Sequence, residues 1–177
     1  MVMLKSIFLV LVVSIGFFSI TAPAQNSTPV SAVRSFYKFD RSHSQVFRRS
    51  AIDARKKWFS AELYRLFLNE LRREKVYLRT HPTDKPYFGD GLPFQPIDET
   101  CKTGGKDLHR SVVVKPAFQK GRRAAVTAAF VFPKSCSDKN VVTYTIGLIK
   151  RGKACVIDDV NYGEDRTLKQ DLKRKDY

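Results

Sequence analysis

The sequence predicts an α+β domain: N-terminal helices packed on a curved antiparallel sheet of about four strands. Two observations carry this. From Ser111 to Tyr162 the chain alternates apolar and polar residues in four runs separated by short turns. Before that stretch, apolar residues recur at helical spacing and then give way to a loop dense in Pro and Gly. Short connections favour antiparallel neighbours, and helices segregated from a sheet define the α+β class.

The first residues do not belong to that domain. Lys5 precedes an apolar run from Ile7 to Phe18, and Thr21-Ala22-Pro23-Ala24 supplies small residues for cleavage after Ala24. This is the pattern of a secretory signal peptide. It divides the chain into a signal over 1–24, a single domain over 25–165 and a basic C-terminal tail over 166–177. The expected location is periplasmic or secreted, with no membrane span retained.

In the mature chain, Val30, Val33, Phe36 and Tyr37 fall on one face of a first helix. The segment from Asp40 to Lys57 is basic, with Val46, Phe47 and Ile52 between the charges, and reads as a continuation or a second short helix. Ser60 caps the clearest helix, Glu62 sits in its first turn, and Leu63, Leu66, Phe67 and Leu71 form its apolar stripe. Phe59 is placed to staple onto Tyr64, and Arg65, Arg72 and Arg73 are expected to face out. Residues 81–105 hold four prolines and four glycines and read as loop, with Phe88 and Phe94 plugging the core.

Four strands follow. In Ser111–Lys120, Pro116 marks an edge strand. Gly121 turns the chain into Arg122–Phe132, where Ala124, Val126, Ala128, Phe130 and Phe132 share a face. Val142, Tyr144, Ile146 and Leu148 line the third strand, and the Arg151-Gly152 turn leads into Lys153–Tyr162. In that last strand Cys155 and Ile157 have one parity, and Val160 and Tyr162 the other. A bulge at Asp158-Asp159 returns all four to the core side. Leu168 and Leu172 are spaced for a short helix within the tail.

The three cysteines allow at most one internal bridge. Strand geometry brings the Cys136 turn to the sheet end where Cys101 lies, so Cys101–Cys136 is the reachable disulfide and Cys155 a buried thiol in the core. His43, His81 and His109 are scattered singly, and no metal or cofactor is expected.

The ordered segments Val33-Arg34-Ser35-Phe36-Tyr37, Phe59-Ser60-Ala61-Glu62-Leu63, Gly89-Asp90-Gly91-Leu92-Pro93-Phe94 and Val156-Ile157-Asp158-Asp159-Val160-Asn161-Tyr162 span most of the mature chain. In this set the chain resembles the exported bacterial proteins grouped as domain of unknown function 3828, although Cys155 stands where that family often has Trp. The resemblance implies a cone-like fold of the nuclear transport factor 2-like superfamily and implies no activity. Cones of that superfamily hold ligands in the concave sheet face. Asp158, Asp159 and Tyr144 are the candidates for such a site here, with paired carboxylates suited to acid–base work.

Charge points to partners. The 32 Lys and Arg outnumber 17 Asp and Glu, a formal charge of +15. Such a surface attracts an anionic envelope polymer, a lipid headgroup or an acidic protein. Arg48, Arg49, Arg55, Lys56, Lys57, Arg72 and Arg73 are the residues expected to form it. Nucleic acid is not favoured, because export separates the chain from it and no groove-reading motif is present. The expected function is therefore a non-catalytic exported binding domain, with a small-molecule-binding or weakly catalytic cone using Asp158 and Asp159 as the alternative.

Overall fold

Residues 28–96, 102–103, 106–107, 111–133 and 141–175 are described in a computed structural model of the chain. The signal segment and both Cys101 and Cys136 lie outside the described residues, as does the disulfide expected between them.

Helix α1 (Pro29–Asp40) starts where Thr28 Oγ1 accepts from Ser31 N, with Pro29 in the first turn, where a missing N–H costs nothing. Its buried face is Ala32, Val33, Phe36, Tyr37 and Asp40. Helix α2 (Arg49–Arg55) buries Ala51, Ile52 and Arg55 and runs into a 3-10 turn, Lys56–Trp58. Helix α3 (Ala61–Thr80) is capped by Ser60, whose Oγ accepts from Leu63 N at 3.0 Å. Its inward stripe is Leu63, Leu66, Phe67, Glu70 and Glu74. The stripe thus begins apolar and ends in two carboxylates. Phe59 packs on Phe67 and Phe94, while the Tyr64 hydroxyl donates to Asp53.

After the loop, β1 (Lys102–Thr103) and β2 (Lys106–Asp107) pair antiparallel as a small separate sheet. The main sheet is fully antiparallel. Strands β3 (Ser111–Lys120), β4 (Arg123–Val131), β5 (Val141–Arg151), β6 (Ala154–Gly163) and β7 (Arg166–Thr167) lie in that order. β3 is an edge strand, in keeping with Pro116, and its register shifts between Pro116 and Phe118. The sheet has five strands rather than about four. The fifth adds only two residues, and it follows a turn in which Glu164 and Asp165 adopt positive φ.

Residues 166–173, expected as part of a basic tail, pack into the domain as β7 and a fourth helix. Helix α4 (Leu168–Lys173) has a full capping box from Thr167 and Gln170 and buries Leu168, Asp171 and Leu172. The inner sheet face and the helices enclose an aromatic centre. Phe94 stands 5.0 Å from Phe36, 5.2 Å from Phe59 and 5.7 Å from Phe67 between ring centroids. Each such contact adds about 0.5–1.5 kcal/mol beyond burial. Phe88 and Phe94 both enter the core, as the loop composition predicts. Among the described residues, no helix is long and apolar enough to cross a membrane.

Candidate functional site

The bulge in β6 is present, and its carboxylates are occupied. Gly147 pairs with Asp159 and Leu148 with Ile157, so Asp158 is the extra residue. Ile157 and Val160 are both buried in the main core, and Cys155 and Tyr162 pack against it half-buried. Asp159 Oδ1 accepts from Val160 N and from Lys169 N, both at 2.9 Å. It therefore closes the bulge and holds the first turn of α4. Asp158 pairs with Lys169 Nζ at 2.8 Å. The same ammonium reaches Glu62 at 2.8 Å, and Lys173 reaches the other Glu62 oxygen. Hydrogen bonds from Lys169 and then Lys173 hold the Glu62 carboxyl down to about 2. These contacts tie α3, β6 and α4 together.

Tyr144 lies elsewhere. Its ring meets Phe130 at 5.2 Å and Tyr162 at 5.0 Å, both edge to face. It lines a cleft of about 390 Å³ between the 87–95 loop and the β5–β7 end of the sheet. Neither Asp158 nor Asp159 lines that cleft. The acid–base trio that the sequence suggests is not brought together. The interior that such a cone would use is filled by Phe36, Phe59, Phe67, Phe94 and Phe130. Cys155 is half-buried, and burial pushes its thiol up, away from the thiolate a nucleophile needs.

The basic surface differs from the expected set at two positions. Arg55 is not on it. Its side chain is fully buried, with Nε donating to Asp40 Oδ1 at 2.6 Å and Nη1 to Ala51 O at 2.9 Å. Gln95 Nε2 takes the other Asp40 oxygen. Burying a guanidinium is costly unless its charge and donors are satisfied, and here α1 and α2 do both. Arg73 is half-buried, bonded to the Glu70 carboxylate and to the carbonyls of Leu172 and Arg174. Arg174 takes the second Glu70 oxygen at 2.6 Å. Arg48, Arg49, Lys56, Lys57 and Arg72 are exposed.

The exposed cations around α2 are interleaved with rings. Lys57 Nζ sits 4.1 Å above Trp58, Trp58 meets Phe39 at 4.4 Å, and His43 stacks on Phe39 at 3.5 Å. Lys56 lies 4.9 Å over Tyr64, and Arg49 is bonded to Asp53 at 2.8 Å. Among the described residues, no carboxylate lies within ion-pair distance of Arg48, Lys57 or Arg72. A second basic surface borders an open groove on α3, where Arg72, Arg73 and Lys175 surround Val76 and Tyr77.

Sequence reasoning missed the Arg166–Asp171 pair at the cleft, the buried Arg55–Asp40 pair and the two guanidinium groups on the buried Glu70. The Thr167-x-x-Gln170 spacing was a readable signal for the first, since it marks a helix start that would have drawn residues 166–172 into the domain. No protein-family model, curated protein or solved structure matches the chain.

Proposed function

We propose that the chain is an exported, non-catalytic binding domain that holds an anionic polymer of the cell envelope on the surface formed by α2 and the turn after it. The observation that carries this reading is the placement of Lys57 over the Trp58 and Phe39 rings and of Lys56 over Tyr64, on the same surface as the exposed Arg48. Cations supply long-range attraction, and rings supply flat contact area that tolerates many repeat units. The net charge of +15 strengthens the encounter. Export follows from the signal pattern over residues 1–24. The order of helices, loop and bulged sheet supports a cone of the nuclear transport factor 2-like kind, since a bulge bends its strand.

The test is binding of the purified protein to poly-glutamate across a salt series. Affinity should fall steeply once the Debye length drops below about 8 Å. The double variant Arg48→Glu/Lys57→Glu, both positions exposed, should weaken binding by about tenfold or more, or ~1.4 kcal/mol. Binding that ignores salt, or that survives the double reversal, would refute the proposal.

A further inference from the structure

The anionic-polymer reading leaves the cleft at the β5–β7 end of the sheet unused. Its volume of about 390 Å³ is enough for a small ring, within the usual span of roughly 300–1,000 Å³ for ligand sites. Four of its walls are aromatic: Tyr87, Phe88, Tyr144 and Tyr162. Tyr144 and Tyr162 stand at 78° to one another, so the cleft offers both a ring face and a ring edge. The Tyr162 hydroxyl donates to Pro93 O at 3.0 Å, which ties the loop wall to the strand wall.

The polar groups are few and already balanced. Arg166 donates to both oxygens of Asp171 at 3.1–3.2 Å and to the Tyr87 hydroxyl at 3.0 Å. Asp90 is bonded to Lys85. Arg174 lies 3.6 Å above the Tyr87 ring. Burial keeps the Tyr162 phenol protonated, with Tyr144 and Asp171 adding to the effect. A cleft of paired charges on a chain of +15 is a local neutral patch.

That balance selects among ligands. An anion would meet the Asp171 and Asp90 carboxylates. A cation would compete with Arg166 and Arg174 for the same rings and carboxylate. A neutral ring with an apolar C–H face and several hydroxyls meets neither cost. Its C–H face can lie on one of the Tyr144 and Tyr162 rings against the edge of the other, and its hydroxyls reach the Arg166–Asp171 fork, where each can donate to the carboxylate and accept from the guanidinium. We propose that this cleft binds one pyranose unit of a neutral saccharide, with the Arg166–Asp171 pair reading its hydroxyls.

The test is an NMR titration of the purified protein with glucose and N-acetylglucosamine, with glucuronate and glucosamine as charged counterparts and a disaccharide to separate a free sugar from a chain end. The neutral sugars should saturate shifts at Tyr87, Tyr144 and Arg166 with a Kd of order 1 mM, insensitive to salt. The charged sugars should bind at least about fivefold more weakly, in line with the paired charges. Arg166→Lys keeps a cation beside Asp171 but loses the fork, and it should weaken binding by about tenfold. Tyr87→Ala removes one wall and the hydroxyl that Arg166 donates to, and should do the same while the amide spectrum of the rest of the domain stays that of the folded protein. No saturable shift with any neutral sugar would overturn the proposal, as would tighter binding of glucuronate or affinities untouched by both variants. Salt dependence that tracks Arg48→Glu/Lys57→Glu would assign the sugar to the basic surface instead and overturn it too.

Discussion

Replacing Glu74 by Gln should change how the stability of this protein depends on pH. Glu74 is 7% exposed, one turn beyond the fully buried Glu70. Glu70 takes both nearby guanidinium groups, Arg73 and Arg174, on its two oxygens. Glu74 is left with the Phe88 N–H, which donates to its Oε1 at 3.3 Å. Burial therefore raises the Glu74 carboxyl most, Glu70 raises it further, and the Phe88 amide, Arg174 and Arg73 offset only part; the result is about 7 against an ordinary 4.5. A carboxyl raised in the folded state binds its proton more tightly there than when unfolded. Its contribution to stability is therefore complete below about pH 4.5 and is lost as pH rises through about 7. At 1.36 kcal/mol per pH unit the full effect is roughly 3 kcal/mol at most. Gln keeps the shape and the acceptor for Phe88 N–H and never ionises. The stability gap between variant and parent should widen in the variant's favour by about 2.5 kcal/mol from pH 5 to pH 8. Urea unfolding followed by the single tryptophan, Trp58, measures it, and other titrating groups cancel in the difference. A gap constant within about 0.5 kcal/mol, close to the accuracy of the extrapolation, would refute the argument.

Two further substitutions test the polar contacts that organise the fold. Arg55→Ala strands the Asp40 carboxylate in the core with Gln95 as its remaining side-chain donor, and should cost about 3–5 kcal/mol in urea unfolding. The double change Asp40→Leu/Arg55→Met removes both charges and should recover most of that loss; a double variant as unstable as the single one would refute the pairing argument. Asp159→Ala deletes the acceptor shared by Val160 N and Lys169 N and should cost about 1–3 kcal/mol. Amide exchange at Lys169 should quicken while Leu63, at the start of α3, stays protected; equal protection at both would show that Asp159 does not hold α4.

What the sequence disclosed is what local chemistry determines. Ser60 before an apolar stripe reads as a cap because its hydroxyl has one nearby orphan amide to satisfy, and the helix begins there. The parity break between Ile157 and Val160 reads as a bulge because a strand cannot otherwise bury both, and Asp158 is the extra residue. Arg55 and Arg73 went astray for the opposite reason. A charge on a helix is assigned outward unless its partner is known, and the partners come from other elements: Asp40 from α1, and the Leu172 and Arg174 carbonyls from the far end of the chain. The same distance effect hid the docking of α4: the spacing of Leu168 and Leu172 marks the helix, but its basic residues suggest a loose tail while both leucines sit in the core. Function follows the same division. Composition reports the sum of charge but not its placement. Once Arg55 is inside and Arg73 is bonded to Glu70, the basic surface contracts to Arg48, Arg49, Lys56, Lys57 and Arg72. Of these, Lys56 and Lys57 stand over aromatic rings, and that is a feature no count of lysines contains. The cleft makes the complementary point. Tyr87, Tyr144, Tyr162 and Arg166 come from the loop, β5, β6 and β7, and only the folded domain sets them around one space.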